Sequence, residues 1–187
     1  SLVPCFTPLE KDKLTAYFSM EFAIHQALKI YSGGLGFLTG SHVRSAYDLR
    51  QNIIGVGILW SYGYYDQFRN KELMMSVSHR RKIYYFLKEL DVKICIKIFD
   101  KDVYVKAFLL ESKTFDTAPV ILLSTDIEEN DFLARTITHK LYDANEQIRI
   151  SQEIVLGIGG FKMLEALRQN IDIYHLNEGH ATPLIFS

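Results

Sequence analysis

The pattern of apolar and polar positions divides the chain into short strands and longer helices. Short apolar runs predict three buried strands, at 14–22, 52–60 and 118–126, and a further strand at 171–177. Three longer segments are predicted to be helices, at 35–49, 130–142 and 146–169. Apolar and polar residues alternate between 92 and 112 around a break at Asp100–Lys101–Asp102, which predicts an antiparallel hairpin.

This order of strands and helices predicts the fold class. Strands that alternate with helices are typical of an α/β fold with a mainly parallel sheet, into which one hairpin is inserted here. The last strand is followed by only one turn of predicted helix, whereas a parallel sheet normally continues with a further crossover. We therefore expect residues 1–187 to be a piece of a longer polypeptide.

Three glycines interrupt the predicted helix at 146–169. Gly157, Gly159 and Gly160 each cost about 1 kcal/mol relative to alanine in a helix interior. We expect either close contact between this helix and the sheet or a break in the helix near Gly157.

The composition argues against several classes of function. The 21 Lys and Arg residues nearly balance the 22 Asp and Glu residues, so neither a nucleic-acid-binding face nor a polybasic membrane tract is indicated. The sequence shows no apolar run of transmembrane length and no signal-peptide pattern. Cys5 and Cys95 lack metal-ligand spacing, as do the histidines, so we predict no metal site. This cysteine usage favours a reduced, cytoplasmic compartment.

A cluster of glycines opens the first predicted helix. Gly33, Gly34 and Gly36 follow a strand and a loop, at a point where the first helical N–H groups have no partner within the helix. Without side chains, these amides can approach a phosphate or a sugar directly, and the helix dipole favours negative charge. A tight strand-to-helix turn that needs glycine for close packing is the alternative. The spacing matches neither the dinucleotide fingerprint nor the phosphate-binding loop with its lysine.

Polar residues follow two of the predicted strands. Asn177, Glu178 and His180 come directly after the last strand, and Glu21 ends the first. The carboxyl edge of an open α/β sheet is where ligands bind, so we expect these residues to converge there with the glycine turn. The alternative is structural, with Asn177 as the N-cap of the last helix and Glu178 in its first turn.

Five sequence blocks together resemble the α-glucan (glycogen/maltodextrin) phosphorylase family, particularly its shorter bacterial branch. They occur in the family's order, and the resemblance extends over nearly the whole chain from about residue 14. The blocks are AYFSMEF, IYSGGLGFLTGSH, GVGILWSYGYYDQ, LYDANEQIRISQEIVLGIGG and YHLNEGHA.

The resemblance implies a fold and an activity. The family has two Rossmann-like domains that face each other across a cleft, the glycosyltransferase B architecture. Residues 1–187 would then form part of the N-terminal domain, a mainly parallel sheet with helices on both faces, and the C-terminal cofactor domain would be absent. The family cleaves α-1,4-glucans with inorganic phosphate and releases glucose 1-phosphate with retention. Its cofactor is pyridoxal phosphate, which is held by a lysine of the second domain and therefore outside this chain.

The resemblance also implies roles for individual residues. Gly33 and Gly34 match the glycines that approach the cofactor and substrate phosphates, and Leu35 matches a contact of the glucosyl unit. Glu178 matches an acidic position that faces the sugar site, and His180 matches the histidine two places beyond it. The resemblance implies that these two residues are catalytic, together with Glu21.

Further positions match less specific parts of the pattern. Glu21 matches an acidic position near the cleft, and Asn177 is expected to bind substrate. Asp143 and Asn145 fall in the loop that gates the site and are also expected to bind substrate. The implied partners are α-1,4-glucan, inorganic phosphate, the missing domain and a possible second copy of the protein. We expect the chain alone to be inactive.

Two other functions remain open at this stage. Glycogen and starch synthases share the two-domain architecture, but their GGLG motif usually follows a Lys-Thr pair, whereas Tyr31–Ser32 precedes it here. A non-catalytic glucan-binding module is the alternative from a different class.

Overall fold

The computed structural model describes residues 13–63, 66–69, 75–78 and 81–186. Its strands are β1 (Thr15–Phe18), β2 (Ile53–Ile58), β3 (Asp66–Arg69), β4 (Met75–Ser78), β5 (Lys88–Ile98), β6 (Lys101–Leu110), β7 (Val120–Ser124) and β8 (Ile173–Leu176). Its α-helices are α1 (Gly34–Asp48), α2 (Ser112–Phe115), α3 (Phe132–Thr136), α4 (Glu146–Ile154) and α5 (Gly160–Ala166). A π-helical turn, Val155–Gly159, joins α4 to α5, and a 3₁₀ helix covers Gly179–Phe186.

Six strands form the main sheet, in the order β5-β6-β7-β2-β1-β8. The four strands β7, β2, β1 and β8 are parallel, while β5 and β6 are antiparallel to each other and β6 is antiparallel to β7. The separate pair β3 and β4 is antiparallel. The predicted α/β class, with a mainly parallel sheet and an inserted hairpin, is therefore confirmed.

Helices cover both faces of the central strands. Successive side chains of a strand point to opposite faces. In β1 the ring of Tyr17 lies 4.5 Å from that of His42 in α1, while a Cβ on Gly160 of α5 would lie 2.6 Å from Phe18. Strands covered on both faces read as continuous apolar runs, which is why β2 and β7 were recognisable in the sequence.

The predicted hairpin is present, with its turn shifted slightly. Phe99 and Asp100 form the turn, and both have left-handed φ angles, of 48° and 62°. Such angles give a two-residue turn whose twist matches that of the flanking strands. The first strand begins at Lys88, earlier than the alternating pattern suggested.

The long predicted helix at 146–169 is divided, and both expectations for its glycines hold. The π-helical turn interrupts it at Val155–Gly159. A Cβ on Gly157 would lie 2.6 Å from the backbone nitrogen of Leu184, and Gly160 packs against Phe18 of the sheet. The glycines therefore allow two close backbone contacts that a larger residue would prevent.

The helix predicted at 130–142 is wrong for most of its length, since only Phe132–Thr136 is helical. Side chains take the place of helical hydrogen bonds in the rest of the segment. Thr138 accepts from the backbone N–H of Thr125, and Gln152 donates to the carbonyls of Ile137 and Lys140. These partners are distant in sequence, so local periodicity could not reveal them.

Helix α1 is present, but its leucines do not form its buried face. Leu38 is 60% exposed and Leu49 is 67% exposed. The buried face consists of small residues, among them Gly36 and Gly40. A Cβ on Gly40 would lie 2.2 Å from the carbonyl oxygen of Ala23, so this helix approaches the preceding loop too closely for leucine.

Candidate active site

Glu21 lies in a buried turn just beyond β1, three residues past the end of the strand. Its side chain is only 2% exposed. One carboxylate oxygen, Oε2, accepts from the backbone N–H groups of Ser32 and Gly33, at 2.6 and 3.2 Å. The other, Oε1, accepts from the hydroxyl of Tyr142 at 2.5 Å. Since a buried carboxyl group is costly unless its oxygens are paired, these donors hold Glu21 in place and join three segments of the chain.

In the glycine turn, one backbone N–H group has a hydrogen-bond acceptor, whereas two others have none among the described residues. The Gly33 N–H is bonded to Glu21, so the expectation that both glycine amides are free is wrong for Gly33. Helix α1 begins at Gly34 and has no side-chain cap. Within the described residues, no acceptor is bonded to the N–H groups of Gly34 and Leu35, which belong to the first turn.

The space around each glycine shows whether close packing explains why the residue is glycine. A Cβ on Gly33 or Gly34 would meet no atom within 4 Å. A Cβ on Gly36, by contrast, would lie 2.7 Å from Tyr31 and 3.0 Å from Oε2 of Glu21. Close packing therefore accounts for Gly36, whereas no described residue packs against Gly33 or Gly34 closely enough to require glycine.

Glu178 and His180 lie just beyond the carboxyl end of β8. Glu178 adopts a left-handed φ of 64°, which few residues other than glycine adopt without cost. Its Oε2 lies 3.7 Å from Nε2 of His180. On the other side of the imidazole, Nδ1 lies 3.1 Å from Oε1 of Glu153.

Tyr142 connects this strand end to Glu21. Its ring lies 5.9 Å from the ring of His180, and its hydroxyl donates to Glu21. Burial, the hydrogen bond to Glu21 and the charges of Glu21 and Glu178 raise the pKa of Tyr142 far above its ordinary value. The hydroxyl therefore stays protonated and remains a donor. The predicted residues Glu21, Glu178 and His180 thus meet around a tyrosine that sequence reasoning missed.

One feature of the sequence could have identified Tyr142 as a site residue. It directly precedes Asp143 in the block that carries the predicted gating residues. Its φ of 56° is left-handed, so the backbone bends sharply at this residue and turns the ring toward Glu21.

Asn177, Asp143 and Asn145 make contacts within the chain. Asn177 donates from Nδ2 to Ser19 at 3.4 Å rather than capping the helix that follows. Oδ1 of Asp143 accepts from the N–H of Asn145 at 2.9 Å. Oδ1 of Asn145 in turn accepts from the N–H groups of Gln147 and Ile148, which makes it the N-cap of α4. Their expected contacts with substrate stay predictions.

A second polar cluster lies beyond the end of β7 and was not predicted. Asp126, whose side chain is 4% exposed, accepts from Arg135 at 2.9 Å and from Ser61 at 3.1 Å, and it pairs with Arg81 at 3.0 Å. Burial alone would raise the pKa of Asp126. The hydrogen bonds from Arg135 and Ser61 and the charges of Arg81 and His139 outweigh burial and lower that pKa. The cluster anchors the loops at this edge of the sheet.

Two general features of the described residues limit the kinds of site. No group of three or more His, Cys, Asp or Glu side chains among them is arranged to hold a metal ion. The helices within the described ranges are too short or too polar to cross a membrane. Cys95 is exposed and its thiol is free, while Cys5 lies outside the described residues.

The chain is similar in sequence to several much longer proteins, although no protein-family model matches it. An uncharacterized protein of Methanocaldococcus jannaschii is 55% identical over 174 residues, which are 93% of this chain and 33% of that protein. Maltodextrin phosphorylase of Thermococcus litoralis is 36% identical over 177 residues, 88% of this chain and 20% of the enzyme. Glycogen phosphorylase of Aquifex aeolicus is 31% identical over 176 residues, 90% of this chain and 25% of the enzyme.

The fold is also similar to that of a solved enzyme. The catalytic domain of starch synthase IV from Arabidopsis thaliana, bound to ADP and acarbose, matches with a TM-score of 0.64 over 92% of this chain and 29% of that one. At 14% sequence identity this likeness concerns the fold alone, which is that of a glycosyltransferase B domain. The chain spans a fifth to a third of the length of the curated relatives described above. Over about nine-tenths of its length the chain thus resembles part of the maltodextrin and glycogen phosphorylases.

Proposed function

We propose that the natural polypeptide containing these residues is an α-glucan phosphorylase. It would transfer a glucosyl unit from an α-1,4-glucan to inorganic phosphate and form glucose 1-phosphate. Residues 1–187 would supply part of its N-terminal domain. The observation that carries this proposal is the Glu21–Tyr142 hydrogen bond, because it gathers the glycine turn and the end of β8 at one edge of the sheet. The names of the relatives at 31–36% identity support the same activity.

The open amides of the turn suit a phosphate group. The N–H groups of Gly34 and Leu35 lie at the positive end of α1 and have no acceptor among the described residues. Because Gly33 and Gly34 lack a Cβ, a ligand can come close to these N–H groups. Glu21 already occupies the amides of Ser32 and Gly33, so it offsets part of the positive potential. Strong phosphate binding therefore requires cationic groups in addition to these amides.

Glu178 and His180 would act on the sugar. Glucosyl transfer passes through an oxocarbenium-like state, which a nearby carboxylate stabilises more than it stabilises the bound substrate. The side chain of Glu178 is 57% exposed, so a ligand can reach it. Leu35 and Asn177 would contact the glucosyl unit from the glycine turn and from the end of β8.

Pyridoxal phosphate is the cofactor that the family resemblance implies. The residues present fit its phosphate end, because Gly34 and Leu35 have free N–H groups and Gly33 leaves open space beside them. When bound, its phosphate supplies the proton that is exchanged with the substrate phosphate. We propose that the lysine that holds it lies outside this chain, in a C-terminal domain. A cytoplasmic location and a homodimer also stay proposals.

A glycogen or starch synthase is the second candidate, because the solved structure with a similar fold is a starch synthase. The two functions are separated by an assay of the natural full-length protein. A phosphorylase releases glucose 1-phosphate from glucan when phosphate is added, whereas a synthase incorporates glucose from ADP-glucose. Glucose incorporation without phosphorolysis would overturn our proposal, and glucan binding without either activity would favour a non-catalytic module.

The variant Glu178→Ala tests the proposed role of this carboxylate in the full-length protein. We expect kcat to fall by about 100-fold with little change in KM for glucan, since the carboxylate helps most when charge develops on the sugar. Glu128→Ala removes an exposed carboxylate elsewhere and is the matched control. A rise in KM with unchanged kcat would contradict the role.

A further inference from the structure

Glu153 was not predicted as a site residue, yet among the described residues it makes the closest polar contact of the His180 imidazole. Its Oε1 lies 3.1 Å from Nδ1 of the imidazole, and both side chains are about one-third exposed, at 34% and 31%. We propose that Glu153 is a positioning residue that keeps the proton of His180 on Nδ1. The opposite nitrogen, Nε2, is thereby presented as a hydrogen-bond acceptor beside Glu178.

The chemistry of the two groups determines where the proton lies. An ionised carboxylate can only accept hydrogen bonds, so the ring nitrogen that faces Glu153 must carry a proton. A neutral imidazole has one N–H, and its other nitrogen then offers a lone pair. In His180 that nitrogen is Nε2, and it lies 3.7 Å from Oε2 of Glu178, beyond hydrogen-bond distance. The two acceptors are therefore both available to a ligand.

The backbone around this pair is held by close packing. Glu153 lies next to the last residue of α4, directly before the π-helical turn, and His180 lies in the 3₁₀ helix. The turn and the 3₁₀ helix touch through Gly157, whose Cβ would lie 2.6 Å from the nitrogen of Leu184 and 3.0 Å from the carbonyl oxygen of Ala181. The distance between Glu153 and His180 is thus set by two packed elements rather than by flexible loops.

The ring of Tyr142 borders the imidazole on a further side. Its centroid lies 5.9 Å from that of His180, while its hydroxyl is committed to Glu21. Tyr142 therefore limits the rotation of the imidazole without offering Nε2 a proton. Glu153 remains the group that decides which nitrogen is protonated.

Two adjacent acceptors define the chemistry of the ligand. Nε2 of His180 and Oε2 of Glu178 match two neighbouring hydroxyl groups, each of which donates one hydrogen bond. This part of the inference rests on the proposed function, since the vicinal hydroxyls of a glucosyl unit are such a pair. A site that hydrogen-bonds a hydroxyl group disfavours an analogue without it, so the pair would favour intact glucosyl units over deoxy analogues.

The first experiment measures the tautomer directly. The natural full-length protein is labelled with ¹⁵N at histidine, and the resonances of His180 are identified by their loss in His180→Gln. At a pH where the ring is neutral, we expect Nδ1 to be protonated and Nε2 to be unprotonated. In Glu153→Gln this preference should be lost, because an amide can donate to Nδ1 as well as accept from it. Glu165→Gln, an exposed position on α5, is the matched control and should leave the tautomer unchanged.

The results that would overturn the inference are distinct from those that would overturn the proposed function. Protonation of Nε2 in the unmodified protein, which requires no variant to fold, would refute it, as would an unchanged tautomer in Glu153→Gln. We also expect Glu153→Gln to lower kcat/KM for glucan about tenfold and to change its pH profile, with Glu165→Gln unaffected. An Nδ1 proton in a protein without phosphorolysis would support the positioning role and refute only the proposed function.

Discussion

Replacing Tyr142 with phenylalanine removes one oxygen atom at the centre of the candidate site. The hydroxyl donates to Glu21 at 2.5 Å, and Glu21 is 2% exposed. The left-handed backbone of residue 142 is unaffected, because tyrosine and phenylalanine have the same preferences there. The substitution therefore isolates the hydrogen bond.

The expected loss of stability follows from the surroundings of the two groups. A hydrogen bond to a charged group contributes about 1.5–3 kcal/mol. The amides of Ser32 and Gly33 continue to pair with Glu21, and Tyr142 is 37% exposed, so water can partly replace its hydroxyl. We therefore expect Tyr142→Phe to lower the free energy of unfolding by about 1–2 kcal/mol. For a chain of this size the corresponding fall in Tm is about 2–8 °C.

Urea unfolding followed by circular dichroism measures the difference in the free energy of unfolding between Tyr142→Phe and the unmodified protein. Tyr85→Phe is the control, because Tyr85 is 93% exposed. The pKa of Tyr142 is raised in the folded state, so the stabilisation is present below the ordinary tyrosine pKa and is lost only as pH rises through the folded value. The difference between the two proteins should thus stay constant from pH 7 to about 9. If Tyr142→Phe costs no more than Tyr85→Phe, the hydrogen bond does not stabilise the fold and the reasoning fails.

Two further predictions concern packing and pH. Gly40→Ala should lower the free energy of unfolding by about 1–3 kcal/mol, since its Cβ would lie 2.2 Å from the carbonyl oxygen of Ala23. A urea titration measures this change, and an unchanged midpoint would contradict the close approach of α1 to the loop that contains Ala23. Burial first, and the charge of His175 second, lower the pKa of His42, so its neutral form contributes stability above about pH 6.5 that is lost as pH falls. Thermal melts of His42→Gln between pH 7 and 5 should depend less on pH than those of the unmodified protein, and an equal dependence would contradict this assignment.

The sequence was sufficient to predict the six strands of the main sheet and the fold class, whereas the pair β3 and β4 was not predicted. The central strands are covered on both faces, so they appear as unbroken apolar runs such as Val120–Ser124. The glycines at 157 and 160 indicated close contacts that the structure contains. The meeting of Glu21, Glu178 and His180 followed from their places at the ends of parallel strands.

What could not be predicted depends on contacts between distant residues. The segment after Thr136 leaves the helix because Thr125 and Gln152 pair with its side chains and carbonyls, and neither partner is close in sequence. Leu38 of α1 is exposed because the helix packs through smaller residues, among them Gly36 and Gly40. Tyr142 and Glu153 are ordinary residues in their local sequence and gain their roles from partners 121 and 27 residues away.

The most direct test of this account is the phosphorolytic activity of the full-length variant Gly34→Ala. The added methyl group meets no atom of the described residues within 4 Å, and alanine is a better helix former than glycine, so the protein should fold with unchanged or slightly higher stability. If the bare backbone at the start of α1 receives a phosphate, the same methyl group should lower kcat/KM by at least about tenfold. Full activity in a folded Gly34→Ala protein would show that nothing approaches this turn and would contradict the central claim.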